Sequence, residues 1–302
     1  MTGFVIRRDT KKSRSETPLQ PQPKNQLDAI NAVVRVFGAQ PAGREDFSLV
    51  RPDAQFANRL AIAEKQIPRP TQPRPRAETA TPVTADHPQP AAPGDDDLRA
   101  ITRATLRHYD DHAAGFRAGT QDHDVSQNIN ALLGAIAARP PYRILDFGCG
   151  PGRDLRRFIA LGHAPIGLDG SKAFAAMARQ SAGCDVLLQD FLALDLPAAH
   201  FDGVFANASL FHVPARALPR VLRELRETLK PGGVLFASNP RGDNQEGWNG
   251  ERYGCYHDWA QWRAFVTAAG FVKLHHYYRP AGKPRQQQPW LASVWRKGAA
   301  AQ

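Results

Sequence analysis

From Asp95 onward, short apolar runs alternate with amphipathic stretches in a regular order. The runs YRILDF, APIGLD, CDVLLQD, FDGVFANA and GGVLFAS are each a few residues long and end at turn residues, so they predict strands. Between them, GRDLRRFIALG, SKAFAAMARQSAG and PARALPRVLRELRETL predict helices. In the last of these, Leu218, Val221, Leu222, Leu225 and Leu229 share one face, and Pro214 suits a first turn. HDWAQWRAFVTAAG predicts a further helix, and FVKLHHYY with PWLASVWRK predicts a closing antiparallel pair. Ahead of the first strand, Asp95, Asp96 and Asp97 can cap a helix through LRAITRATLRHYDDHAAGF. A second helix near DVSQNINALLGAIA is stopped by Pro140 and Pro141. Alternation of this kind predicts an α/β fold, a parallel sheet covered by helices on both faces. PRGDNQEGWNGERYGCYHD reads as a long polar loop at the ligand end of that sheet.

Residues 1–97 follow no such pattern. They hold 13 of the 25 prolines, eight of them in 68–93, which blocks helix and ladder and favours extended chain. With few large apolar residues, that stretch cannot offset its ordering entropy and reads as a largely disordered, semi-stiff extension. Inside it, Leu27, Ile30, Val33, Val34 and Phe37 fall at helical spacing, and AQFANRLAIAEKQI is a weaker second case. Such a helix can dock a protein partner or fold back on the main domain, and both readings stand. The expected division is therefore 1–97 as extension and 98–302 as one domain.

The chain of 302 residues has a net charge of +10. Residues 1–97 carry 14 basic and 12 acidic side chains, 98–240 carry 16 and 13, and 241–302 carry 9 and 4. The excess is densest at the C-terminal end, as a solvated basic surface or one that favours an anionic partner. No run approaches the roughly 18 apolar residues of a membrane span, and the charged start has no apolar segment behind it, so neither membrane nor secretory signal is expected. Three cysteines, Cys149, Cys184 and Cys255, show no metal spacing and fit a reducing cytoplasm; no metal is expected.

The chemistry concentrates at ILDFGCGPGRD, residues 144–154. Gly148, Gly150 and Gly152 follow a strand and open a helix, where backbone without side chains can meet a ligand and helix N–H groups face it. The spacing is G-x-G-x-G, with Arg153 at the third position of the dinucleotide fingerprint, and no Gly-Lys-Ser/Thr follows. Asp169, with Gly170 beside it, ends the next strand, where a carboxylate can accept both hydroxyls of a ribose. Asp190 ends the strand after that, next to Phe191, whose ring can stack on a base. A nucleoside with a short charged arm fits this series better than a pyrophosphate does.

LDFGCGPGRD, IGLDGS, LQDFLALDLP, FDGVFANASLFHVP and LKPGGVLFAS occur in this order and at these spacings. In them the chain resembles a class I S-adenosylmethionine-dependent methyltransferase of the small-molecule type, over roughly residues 100–298. The resemblance implies a Rossmann-like, doubly wound, mostly parallel sheet of seven strands with the last antiparallel. It implies S-adenosyl-L-methionine as cofactor, with Asp146, Gly148, Cys149, Gly150 and Gly152 around the methionine part. Asp169 then meets the ribose, Asp190 and Phe191 the adenine, and Asn207 and Ala208 line the pocket. Asp146 has a second reading, in which it fixes the loop by accepting backbone N–H groups, and Cys149 a second one as a small packing residue.

Methyl transfer from a sulfonium gains most from positioning, and a base is needed only for a protonated acceptor. His212, in ASLFHVP, stands where such a base belongs; a helix-start His bonding backbone is the other reading. Tyr109, in HYDDHAAGF, matches a tyrosine that closes over the cofactor in similar small-molecule methyltransferases, or is a half-buried aromatic on a helix face. Trp248, Arg252 and Tyr253 are candidates to shape the acceptor pocket, and His275 and His276 read as structural. Asn207-Ala208-Ser209-Leu210 replaces the Asn/Asp-Pro-Pro-aromatic turn of base-amine methyltransferases. A small-molecule acceptor is thus favoured over RNA or protein, and a non-catalytic cofactor-binding module is the third reading.

Overall fold

The computed structural model describes residues 95–299. Apart from its last three residues, the proline-rich extension, with its candidate helices and docking role, lies outside them. Three helices lead in: α1 (Asp95–Asp111), α2 (Ala113–Thr120) and α3 (Ser126–Leu133). Then come β1 (Arg143–Phe147), α4 (Arg153–Ala160), β2 (Ala164–Asp169), α5 (Lys172–Ala182), β3 (Val186–Leu188) and β4 (Phe201–Asn207). A 3-10 turn at Leu210–His212 precedes α6 (Leu218–Thr228), β5 (Leu229–Pro240), β6 (Gln245–Asn249) and β7 (Arg252–Tyr256). The chain ends in α7 (Trp259–Ala268), β8 (Phe271–Arg279) and β9 (Trp290–Lys297), with a 3-10 turn, Arg285–Gln287, between the last two.

Seven strands form one sheet in the order β3-β2-β1-β4-β5-β9-β8. The pairs from β3 to β5 are parallel, and β9 runs antiparallel to both β5 and β8. This is the doubly wound sheet with an antiparallel last strand that the motif series implies. Strand order reverses beside β1, so the loops after β1 and β4 open onto one crevice.

Both faces of the central strands are buried, which is why those strands read as continuous apolar runs. Along β1, Leu145 joins one core cluster and Ile144 the other. The first cluster packs Leu145, Phe147 and Val204 against Val221, Leu222 and Leu225 of α6 and Trp262 of α7. The second packs Ile144, Phe205 and Phe236 against Ile129 and Leu132 of α3 and Phe158 of α4.

Several expectations change: α3 ends at Leu133, well before Pro140, and Leu229 opens β5 instead of lying on the face of α6. The helix expected from Pro214 starts at Leu218, with Pro219 in its first turn; the Pro214 carbonyl instead accepts from the backbone N–H groups of Ala217 and Leu218. The leading helix breaks at His112, giving α1 and α2. The polar loop after β5 is largely a two-stranded hairpin, β6 paired with β7 from Gln245↔Tyr256 to Asn249↔Arg252. Its link is Gly250-Glu251, with Gly250 at φ 61°.

Candidate active site

The loop after β1 is held from β2. Gly148 and Cys149 donate their backbone N–H groups to the Leu168 carbonyl at 2.8 and 3.1 Å. Gly150 N–H donates to Asp169 Oδ2 at 2.9 Å, and Ser171 N–H to Oδ1 of the same carboxylate at 2.9 Å. Gly148 (φ 79°) and Gly150 (φ 53°) lie in the left-handed region, but their surroundings differ. A Cβ on Gly148 would stand 2.4 Å from Ser209 Cβ, whereas one on Gly150 would meet nothing nearer than Phe116 Cε1 at 4.0 Å. Gly148 is required by packing against the segment after β4; Gly150 borders open space.

Asp169 therefore fixes the loop, the part that the sequence offered to Asp146. Burial pushes its carboxyl up to about 6 against the opposing pull of the Ser171 and Gly150 N–H groups. Asp146 is buried, and its Oδ2 has no hydrogen-bond partner among the described residues. Burial, with Asp154 nearby, raises its carboxyl well above the usual range. An orphaned acceptor beside bare backbone fits a ligand fragment that brings a proton donor. Cys149 packs in a small cluster with Leu155, Ala175, Ala178 and Val186, and burial drives its thiol up, away from reactivity. A Cβ on Gly170 would stand 2.7 Å from Leu106 Cδ2, so that glycine admits helix α1.

Beyond β3, Asp190 Oδ1 accepts from Leu192 N–H at 2.8 Å, and burial raises its carboxyl. The Phe191 ring stacks on Phe147, centroids 4.1 Å apart. Asn207 donates to Asp154 Oδ2 at 3.3 Å and accepts from Asn128 Nδ2 at 3.0 Å, while Arg153 grips Asp154 with two donors at 2.7 and 2.9 Å. Ala208 turns the chain at φ 63°, its N–H on the Ser238 carbonyl at 2.7 Å.

Tyr109 and His212, 103 residues apart, meet at 2.7 Å between Oη and Nε2. His212 Nδ1 lies 2.7 Å from the Tyr253 carbonyl, which can only accept. Nδ1 therefore carries the proton, Nε2 accepts, and Tyr109 O–H donates. Burial lowers His212 to about 4, against the raising effect of the Tyr253 carbonyl, and burial raises Tyr109. Phe116 and Phe174 flank the Tyr109 ring at 5.6 and 5.4 Å, and Phe116 also borders Gly150. The pair thus adjoins the glycine loop.

The hairpin completes this side. Arg252 places its guanidinium 5.8 Å from the Tyr109 ring centre and Nη1 3.5 Å from Tyr109 Oη. No carboxylate among the described residues pairs with it. Tyr253 serves through its backbone: its carbonyl holds His212 and its N–H donates to Thr105 Oγ1 at 3.1 Å. Trp248 is half exposed on the hairpin, edge-on to Tyr253 at 5.5 Å. His275 stacks near Tyr277 and His276 on Trp259, in keeping with structural roles.

Sequence reasoning missed Asp110, which accepts from Ser171 Oγ at 2.6 Å and Ala173 N–H at 3.0 Å and so seats α1 on the start of α5. It also missed Asn128, which bonds both Asn207 and Tyr277. The adjacency of Asp110 to Tyr109 was the available signal for the first. Nothing in the sequence marked the second.

Residues 144–233, which hold the glycine loop and the turn after β4, match the model of a methyltransferase domain family. Over these residues the chain is similar to the class I S-adenosylmethionine-dependent methyltransferases. Among curated relatives, this chain is 39% identical over 113 residues to malonyl-[acyl-carrier protein] O-methyltransferase of Erwinia pyrifoliae, covering 36% of this chain and 42% of that one. It is 34% identical over 114 residues to trans-aconitate 2-methyltransferase of Azoarcus sp., covering 36% and 44%. The chain thus spans less than half the length of these curated relatives. Its fold matches the Burkholderia thailandensis 1,6-didemethyltoxoflavin-N1-methyltransferase, solved with 1,6-didemethyltoxoflavin and S-adenosylhomocysteine. That match has a TM-score of 0.57 at 21% identity and covers 70% of this chain and 94% of that one. No helix of the described residues is long and apolar enough to cross a membrane.

Proposed function

We propose that this methyltransferase transfers the methyl group of S-adenosylmethionine to a small acceptor that arrives already ionised, a carboxylate being the class that fits. The observation that carries this reading is the Tyr109–His212 pair, with Arg252 beside it. His212 is neutral, its Nε2 lone pair is occupied by Tyr109 O–H, and burial lowers it to about 4. Burial also keeps Tyr109 protonated. A pair in that state orients an acceptor and takes a proton poorly. Only an acceptor with a free lone pair is then served well. Arg252, without a carboxylate partner among the described residues, supplies a guanidinium that can hold an anion through two parallel hydrogen bonds.

The cofactor supplies a methyl group activated on a sulfonium. The chain would hold it through Asp146 and the glycine loop at the methionine end, Asp169 at the ribose, and Asp190 with Phe191 at the adenine. Asn207 and Ala208 shape the wall by turning the chain after β4. On the acceptor side, Arg252 fixes the anion, and Tyr109 with Phe116 and Phe174 keeps water from the reacting space. Trp248 is exposed on the hairpin and the Tyr253 side chain is buried with Ile101 and Cys255, so neither is needed at the acceptor in this reading. Two relatives bear the names of acid substrates, a malonyl group and trans-aconitate, which supports the class but not the compound.

The test is calorimetry with S-adenosylhomocysteine, followed by mass spectrometry of a panel of carboxylic acids, amines and short RNAs incubated with S-adenosylmethionine. Methyl esters, with Arg252→Gln raising KM for the acid at unchanged cofactor affinity, are the expected result. Methylated RNA or amines without ester would overturn the acceptor class.

A further inference from the structure

Helix α1 and the tip of the β6–β7 hairpin bring together three ligand-type side chains outside the pocket. His108 and His112, one helical turn apart, have stacked rings with centroids 4.4 Å apart. Glu251, from the two-residue hairpin link, places Oε2 2.9 Å from His108 Nδ1. One ligand atom from each of the three lies within 4.8 Å of the other two. Tetrahedral coordination at zinc distances needs separations of about 3.3 Å, so the side chains must rotate inward to close the set.

One supporting hydrogen bond is already in place. His112 Nδ1 lies 2.9 Å from the His108 carbonyl, to which it must donate. That bond fixes the tautomer and leaves Nε2 as a free lone pair, the arrangement that ligating histidines show. The break between α1 and α2 falls at His112, where the ring bonds back to the same carbonyl that accepts its own backbone N–H at 3.1 Å. His108 is partly buried, while His112 and Glu251 are exposed and can reorient without disturbing the core. Two imidazoles and one carboxylate suit Zn²⁺ or Co²⁺ and leave a position for water, whereas hard cations prefer all-oxygen sites.

We infer that His108, His112 and Glu251 form a divalent transition-metal site that clips the β6–β7 hairpin onto helix α1. Its place gives it a consequence. Tyr109 follows His108, and Arg252 follows Glu251, so a bound ion fastens the two elements that carry the acceptor-side groups. The same hairpin holds His212 through the Tyr253 carbonyl. The ion would stiffen the pocket from outside, with no role at the reacting atoms.

The experiment uses the full chain without a histidine tag, dialysed against chelator, and titrated with Zn²⁺ in competition with a chromophoric chelator. Co²⁺ is the spectroscopic probe. Expected are one equivalent bound, a Co²⁺ absorption band of low-coordinate N/O type, and a melting temperature that rises with Zn²⁺. His112→Ala and Glu251→Gln should each weaken binding at least about tenfold, and the triple variant His108→Ala/His112→Ala/Glu251→Gln should abolish it. Equal uptake by the wild type and the triple variant, or no uptake by either, would reduce the cluster to a surface ion pair. Binding of S-adenosylhomocysteine, measured on the same samples, reports separately on the cofactor site.

Discussion

Tyr109 O–H donates to His212 Nε2 at 2.7 Å, and the Tyr253 carbonyl settles the direction by taking His212 Nδ1–H. Tyr109→Phe removes the donor and leaves a partly buried ring nitrogen unpaired. The expected loss of stability is about 1–2 kcal/mol, read from denaturant unfolding. Nitrogen NMR of His212 should show Nδ1 protonated and Nε2 bare in the wild type, with only the Nε2 resonance displaced in the variant. Protonation on Nε2 in the wild type would reverse the donor assignment and remove the argument for a pre-ionised acceptor.

His212 also makes stability depend on pH. Its folded value is about 4 against 6.5 for a free imidazole. Between these values the unfolded chain binds a proton that the folded chain refuses, so stability rises with pH across the window and falls as pH drops through it. Other histidines are lowered too, His257, His275 and His276 among them, so the difference between variants is the useful quantity. The loss from pH 7 to pH 5 should be smaller in His212→Asn than in the wild type by about 2 kcal/mol. Parallel curves would mean that His212 titrates normally.

Two glycines of one loop should fail differently. Gly148→Ala drives a Cβ to 2.4 Å from Ser209 Cβ at a left-handed φ, so the fold itself should lose on the order of 3 kcal/mol. Gly150→Ala meets no atom nearer than 4.0 Å and carries only the left-handed penalty of about 1–2 kcal/mol, yet its methyl group projects where a ligand would lie. Thermal unfolding and S-adenosylhomocysteine calorimetry on both variants separate the cases. A Gly150→Ala variant with full cofactor affinity would show that this side of the loop does not face the ligand.

Much of this architecture was legible because it rests on local signals. Runs such as YRILDF, buried on both faces, can only be inner strands, and glycines at 148–152 between a strand and a helix mark the ligand end of the sheet. The hairpin is hidden because its link is Gly250-Glu251 and β6 is polar, although the alternation of Tyr253 and Cys255 in β7 was an available signal. The Tyr109–His212 bond spans 103 residues and the His108–Glu251 contact 143, and no spacing rule reaches that far. That Asp169, and not Asp146, fixes the glycine loop was equally hidden. Both acids end strands beside the same loop, and only coordinates show which carboxylate the backbone N–H groups reach.

Asp169 offers the last discrimination. Both of its oxygens already accept backbone N–H groups, at Gly150 and Ser171, and burial sets its carboxyl at about 6. A carboxylate has further lone pairs, so it can still receive the two hydroxyls of a ribose, but only when ionised. At pH 5 about one tenth of such a group is ionised, so affinity for S-adenosylhomocysteine should fall roughly tenfold below its value at pH 7. Asp169→Ala should bind weakly at both pH values with no such slope, and should lose about 2 kcal/mol of stability because two N–H donors are left without their acceptor. A variant that is less stable but keeps wild-type affinity and its pH slope would show that Asp169 supports the glycine loop and leaves the ribose to another group.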